Sequence, residues 1–130
     1  LLVIDAGTCI TYDFIDEKDQ YIGGAISPGR VIRARSLTDY TDKLPLIETT
    51  TSHLKDIGTS TKGSIASGIV NGIRHEMNGF ISDAKKANPQ IKVFLTGGDA
   101  FFFEDALKYS IFAQENLILT GIYELMKINA

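Results

Sequence analysis

The stretch Leu1-Leu2-Val3-Ile4-Asp5-Ala6-Gly7-Thr8-Cys9-Ile10-Thr11-Tyr12-Asp13-Phe14 decides the fold. Its first five residues are an apolar run ending in a carboxylate, with a glycine close behind, the pattern of a buried strand that enters a tight turn. From Cys9 to Phe14, the apolar Ile10, Tyr12 and Phe14 alternate with Thr11 and Asp13, which predicts a second strand with one face on the core. Asp16-Glu17-Lys18-Asp19-Gln20 reads as a polar hairpin loop, and Tyr21 to Ile26 returns as a third strand broken by Gly23-Gly24. Ser27-Pro28-Gly29 then makes a turn, with Pro presetting φ. Strands joined by such short connections pair antiparallel.

Helical spacing begins after that turn. Val31, Ala34, Leu37 and Tyr40 recur every three residues, while Arg30, Arg33 and Arg35 occupy the other faces and are expected to form a solvated surface. Thr38 to Ile57, with Pro45 and Thr49-Thr50-Thr51, predicts no regular element. A long helix is predicted from about Ser60 to Asn88, with Ile65, Ile69, Ile73, Met77, Phe80, Ile81 and Ala84 as its apolar stripe and Pro89 as its stop. Ile91 to Leu95 is a further buried strand running into Thr96-Gly97-Gly98-Asp99. A short helix near Phe102 to Tyr109, an apolar piece at Ile111 to Ala113 and a last helix at Leu117 to Ile128 complete the order. Strands separated by helices must cross over and lie parallel, so the sheet is mixed. The expected fold class is α/β, a mixed five-stranded sheet with flanking helices, as one domain over residues 1–130. Ligands of such sheets bind beyond the carboxyl ends of the strands, and both glycine turns fall there.

Composition narrows the function classes. With 130 residues, 44% hydrophobic and 22% charged, the chain is a globular domain rather than a disordered tail, a collagen or a disulfide miniprotein. Thirteen basic against sixteen acidic residues give net −3, which argues against a dedicated nucleic-acid binder. The single cysteine, Cys9, has no partner for an internal disulfide, so a reducing compartment is expected. No apolar run approaches the ~18 residues of a membrane span, and a cytoplasmic location is expected. The opening Leu1-Leu2-Val3-Ile4 is already a core-strand pattern, so the chain is expected to be the later part of a longer protein.

Several residues have the chemistry of a phosphate site. Asp5 ends a strand and can hold a cation that neutralises phosphate charge. Gly7 permits close backbone approach, its turn exposes N–H groups, and Thr8 adds a hydroxyl. An ordinary hairpin turn with a capping Asp reads equally well. Gly97-Gly98, after a buried strand, suits a ring or ribose against bare backbone, or else a strand-to-helix loop with Asp99 as helix cap. Gly58-Thr59-Ser60-Thr61 opens the long helix, where a hydroxyl caps and an anion can bind. Gly68 and Gly72 read as a packing face for a neighbouring helix or subunit, and Phe101-Phe102-Phe103 as core or interface. His53 and His75 lack partners at metal spacing, and Cys9 reads as a small buried residue rather than a nucleophile.

Taken in order, Asp5-Ala6-Gly7-Thr8 with Thr11 and Asp13, Gly23-Gly24-Ala25-Ile26-Ser27-Pro28-Gly29, Leu44-Pro45, Gly58 with Thr61, Thr96-Gly97-Gly98 and Leu117 to Gly121 resemble the C-terminal half of a type III pantothenate kinase. The resemblance covers essentially the whole chain and rests most on the Gly-Gly-x-Ile-x-Pro-Gly element. It implies an RNase H-like, actin-like domain of the acetate kinase, sugar kinase, heat-shock ATPase and actin superfamily, and ATP-dependent phosphorylation of pantothenate in coenzyme A synthesis. It further implies that Asp5 serves a monovalent cation (potassium or ammonium), with Mg2+ accompanying ATP. Gly7, Thr8, Thr96, Gly97 and Gly98 would bind ATP, and Thr61 would contact pantothenate. The family's catalytic base lies in a Gly-x-Asp-Arg segment, expected upstream of Leu1, so no catalytic residue is assigned here. Cys9 stands where many members have Ala. The resemblance also implies a homodimer built by this half. On this reading the chain folds alone and does not catalyse alone. Two other readings stand beside it: half of another sugar kinase of the superfamily, and a regulator like the Bvg accessory factor.

Overall fold

In the computed structural model, which describes residues 1–50 and 55–129, strand β1 (Leu2–Ala6) is the central strand of a five-stranded sheet. Every second residue points into the core: Leu2, Ile4 and Ala6 are fully buried. On one side β1 pairs antiparallel with β2 (Cys9–Ile15), which pairs antiparallel with β3 (Tyr21–Pro28). On the other side it pairs in parallel with β4 (Val93–Thr96), followed by the two-residue β5 (Phe112–Ala113). The order is therefore β3-β2-β1-β4-β5, mixed as expected.

The helices follow the sequence periodicities. Helix α1 (Arg30–Asp39) packs on α2 (Thr61–Ala87), which carries the buried stripe Ile65, Ile69, Ile73, Met77, Ile81 and Ala84 against the sheet. Phe80 is only partly buried, where its ring stacks on Tyr12 at 3.9 Å between centroids. Ser60 caps α2 by accepting a hydrogen bond from the Gly63 N–H at 3.1 Å. Asn88 closes the helix just before Pro89. Helix α3 is shorter than the pattern suggested, only Ala100–Glu104, and α4 spans Leu117–Ile128 as predicted.

Some expectations are corrected. Ala34 is the only fully buried residue of α1, Leu37 is partly buried against the core, and Val31 and Tyr40 are exposed. Cys9 is exposed rather than buried, since Ile10 and Tyr12 take the inward phase of β2. Of the expected packing pair, Gly72 faces α1, where a Cβ would lie 3.8 Å from Arg33 Nη1, while Gly68 has open space before it among the described residues. Phe101, Phe102 and Phe103 divide between surface, part-buried and core. His75 is exposed on α2, and His53 lies outside the described residues.

Candidate functional site

Asp5 lies at the carboxyl end of β1, beside Thr11 of β2 and Thr96 of β4. Burial, and after it the negative charge of Asp13, push its carboxyl above the ordinary carboxylate range. Asp13 accepts hydrogen bonds from the Thr11 hydroxyl at 2.8 Å and the Tyr21 hydroxyl at 3.2 Å. The Asp5 carboxyl has no hydrogen-bond donor among the described residues. A carboxylate left in that condition is stabilised by any positive charge brought beside it.

Two glycine turns close over this carboxylate. In the first, the Gly7 N–H donates to the Cys9 carbonyl at 2.9 Å, leaving Thr8 exposed at the tip. Gly29 seals it from behind: its N–H donates to the Thr8 carbonyl at 3.0 Å, and a Cβ there would collide with the Gly7 and Thr8 carbonyl oxygens. In the second, Gly97 has φ +95, and a Cβ on it would collide with the Asp5 carboxylate and the Ala6 carbonyl. The Asp99 N–H ties that turn to the Ala6 carbonyl at 2.8 Å. Thr96 is buried within the sheet, so Gly97 and Gly98 form the accessible part of the second turn.

Between the turns and α1 lies a cleft of about 610 Å³, lined by Gly7, Thr8, Arg30, Arg35, Gly98 and Asp99. A second cleft of about 950 Å³ lies on the far part of α1, where Thr61 joins Arg33, Leu37, Leu44, Ile65 and Ile69. The structure thus brings Asp5, Gly7, Thr8, Gly97 and Gly98 together and sets Thr61 apart from them. Because Ser60 is the cap, the exposed Thr61 hydroxyl is not engaged in capping.

Sequence reasoning missed two clusters. Arg30 and Arg33 are not a solvated face: each forms an ion pair with most of its side chain shielded. Arg30 meets Asp99, and Arg33 meets Glu76. The Glu76 carboxylate also accepts from the Tyr12 hydroxyl at 2.8 Å and the Ser27 hydroxyl at 2.5 Å. Burial raises its pKa, but the hydrogen bonds from Ser27, Arg33 and Tyr12 and the Arg33 charge outweigh it and hold Glu76 below the usual carboxylate range. The signal was present in the helix pattern, since Glu76 sits three residues after Ile73 and four before Phe80, inside the apolar face.

Comparison with known proteins places the chain in a family. The family model for type III pantothenate kinase matches residues 1–83. The chain belongs to that family. Among curated type III pantothenate kinases, that of Flavobacterium johnsoniae is 50% identical over 121 residues, covering 93% of this chain and 49% of its own length. That of Bacteroides fragilis is 44% identical over 129 residues, covering 99% of this chain and 53% of the relative. The chain therefore spans about half the length of the curated pantothenate kinases it matches. A Campylobacter jejuni crystal structure, described as a conserved Baf family transcriptional activator, superposes with a TM-score of 0.70 at 26% identity, covering 98% of this chain and 57% of that one. No helix among the described residues is long and apolar enough to cross a membrane.

Proposed function

We propose that the protein containing this chain transfers the γ-phosphoryl group of ATP to the hydroxyl of pantothenate, and that this chain forms one wall of a two-domain cleft. The observation that carries the reading is the meeting of the Gly7-Thr8 and Gly97-Gly98 turns over Asp5 at one edge of the sheet. Phosphoryl transfer depends on positioning and charge neutralisation more than on covalent chemistry from the protein. The Gly7-Thr8 turn presents backbone and a hydroxyl to phosphate oxygens, and Gly97 and Gly98 form the adenosine side, with Thr96 buried beneath them at the end of β4. Thr61, in the second cleft, contacts pantothenate.

The residues fit a cation. Asp5 offers only hard oxygen donors, and its burial beside Asp13 favours a positive neighbour. Asp5 would hold potassium or ammonium, with Mg2+ arriving on ATP, and such ions supply neutralisation of phosphate charge. The substrate hydroxyl attacks phosphorus as the bond to ADP breaks, and its proton passes to a base in the upstream half. Among the described residues no three His, Cys, Asp or Glu side chains gather as a metal cluster. The protein is expected to be a cytoplasmic homodimer, and the exposed apolar residues of α4, among them Ile118, Leu119, Ile122 and Tyr123, are surface available to an assembly.

The test is formation of 4'-phosphopantothenate from ATP and pantothenate by the full-length protein, followed by mass spectrometry. Residues 1–130 alone are expected to give no product, because loss of a general base costs about 10²–10⁴-fold. Absence of product from the full-length protein, with salt-sensitive binding of duplex DNA, overturns the kinase reading in favour of a regulator.

A further inference from the structure

Asp99 stands at the position before α3 where a carboxylate ordinarily caps the helix, yet its side chain makes no capping bond. It reaches instead to Arg30, which is 69 positions away in sequence. Arg30 Nη2 donates to Asp99 Oδ1 at 2.8 Å, and Nε donates to Oδ2 at 3.3 Å, a two-pronged contact. Nη1 donates to the Thr49 carbonyl at 2.5 Å and lies 3.2 Å from the Thr49 hydroxyl. The guanidinium also lies 4.7 Å from the centre of the Phe102 ring. Only 23% of the Arg30 side chain and 17% of that of Asp99 are exposed, so this pair escapes most of the screening that makes surface pairs weak.

This one side chain therefore joins three segments around the cleft: the start of α1, the strap at Thr49, and the turn after β4. Arg30 follows Gly29, which is pressed against the Gly7-Thr8 turn, and Asp99 follows Gly98. Resting on the nucleotide reading of this cleft, we propose that Arg30 is a positioning residue that fixes the Gly97–Asp99 turn at a set distance from the phosphate turn, and so tunes ATP affinity. With Nε, Nη1 and Nη2 all engaged in the fold, the guanidinium acts as a strut rather than as a phosphate ligand. Arg35 lines the same cleft.

The experiment uses the full-length protein and its Arg30→Met, Arg30→Lys and Asp99→Asn variants. ATP affinity is read by calorimetry, and the pantothenate KM by steady-state assay. Small misplacements of binding groups cost up to about a hundredfold, so Arg30→Met and Asp99→Asn should each weaken ATP about tenfold or more and leave the pantothenate KM nearly unchanged. Arg30→Lys should recover only part, since one ammonium cannot reproduce the fork. An ATP Kd close to the parent value in both Arg30→Met and Asp99→Asn overturns the proposal. So does an equal rise in the two constants, which is the mark of general loosening. Should Arg30→Met not fold, Asp99→Asn, which keeps the side-chain shape, decides the matter. A parent that binds ATP but makes no 4'-phosphopantothenate overturns the kinase reading alone, because the ATP Kd still reads the strut. A parent that binds no ATP overturns both.

Discussion

Replacing Glu76 by Gln removes the charge on which β2, β3, α1 and α2 converge through Tyr12, Ser27 and Arg33. Hydrogen bonds to a charged group are worth about 1.5–3 kcal/mol each, and the amide of Gln keeps part of that by accepting on one oxygen. Water reaches 25% of the Glu76 side chain, which discounts the ion pair, so the expected loss is about 2 kcal/mol at pH 7. For a chain of this size that is a fall of roughly 6–10 °C in Tm. The sign with pH follows from the direction of the shift. Glu76 in the fold lies below its ordinary value of 4.5, so its stabilisation is fully present above that value and fades as pH falls through the lower folded one. Urea titrations of parent and Glu76→Gln at neutral pH and near pH 3.5 measure both effects. The gap should be wide at neutrality and narrow in acid. A gap below about 0.5 kcal/mol at pH 7, the range of a neutral surface change, would refute the reasoning. A gap that does not shrink in acid would refute it as well.

Two further outcomes are expected. Thr61→Val should raise the pantothenate KM with Tm and ATP affinity unchanged, whereas Ser60→Ala, which deletes the α2 cap, should lower stability by about 1 kcal/mol and leave KM alone. Thermal melts and steady-state kinetics on the pair separate the two hydroxyls. Gly29→Ala forces a methyl into the Gly7 and Thr8 carbonyls, and overpacking of this kind costs about 1–3 kcal/mol, read by urea unfolding together with a weaker ATP Kd.

The order of elements was legible because each carried its own period. Ile10 and Tyr12 alternate along β2, and the four-residue spacing from Ile65 to Met77 marks one face of α2. The two glycine turns could be placed on one edge from strand order alone. The ion pairs were not legible, since Arg30 and Asp99 lie 69 residues apart and only the crossover through α2 brings them together. Cys9 is a different case: cysteine is a residue type usually found buried, but the inward phase of Ile10 puts Cys9 outward. Helix α3 stops at Glu104 although the apolar pattern continues, because Ala100 and Phe103 already seat it in the core and the following turn bonds Ala106 N–H back to the Phe103 carbonyl.

The central claim is that Asp5, beneath both turns, organises the cation and phosphates of an ATP-dependent pantothenate kinase. It is tested most directly by measuring pantothenate-dependent ADP formation by the full-length protein and its Asp5→Asn variant across a potassium titration. The parent should turn over pantothenate at a rate that rises with potassium. Asp5→Asn should be slowed about 10²-fold or more, the scale of losing one preorganised electrostatic group, and should not respond to potassium. Equal turnover in the two proteins, with the same potassium response, would contradict the account.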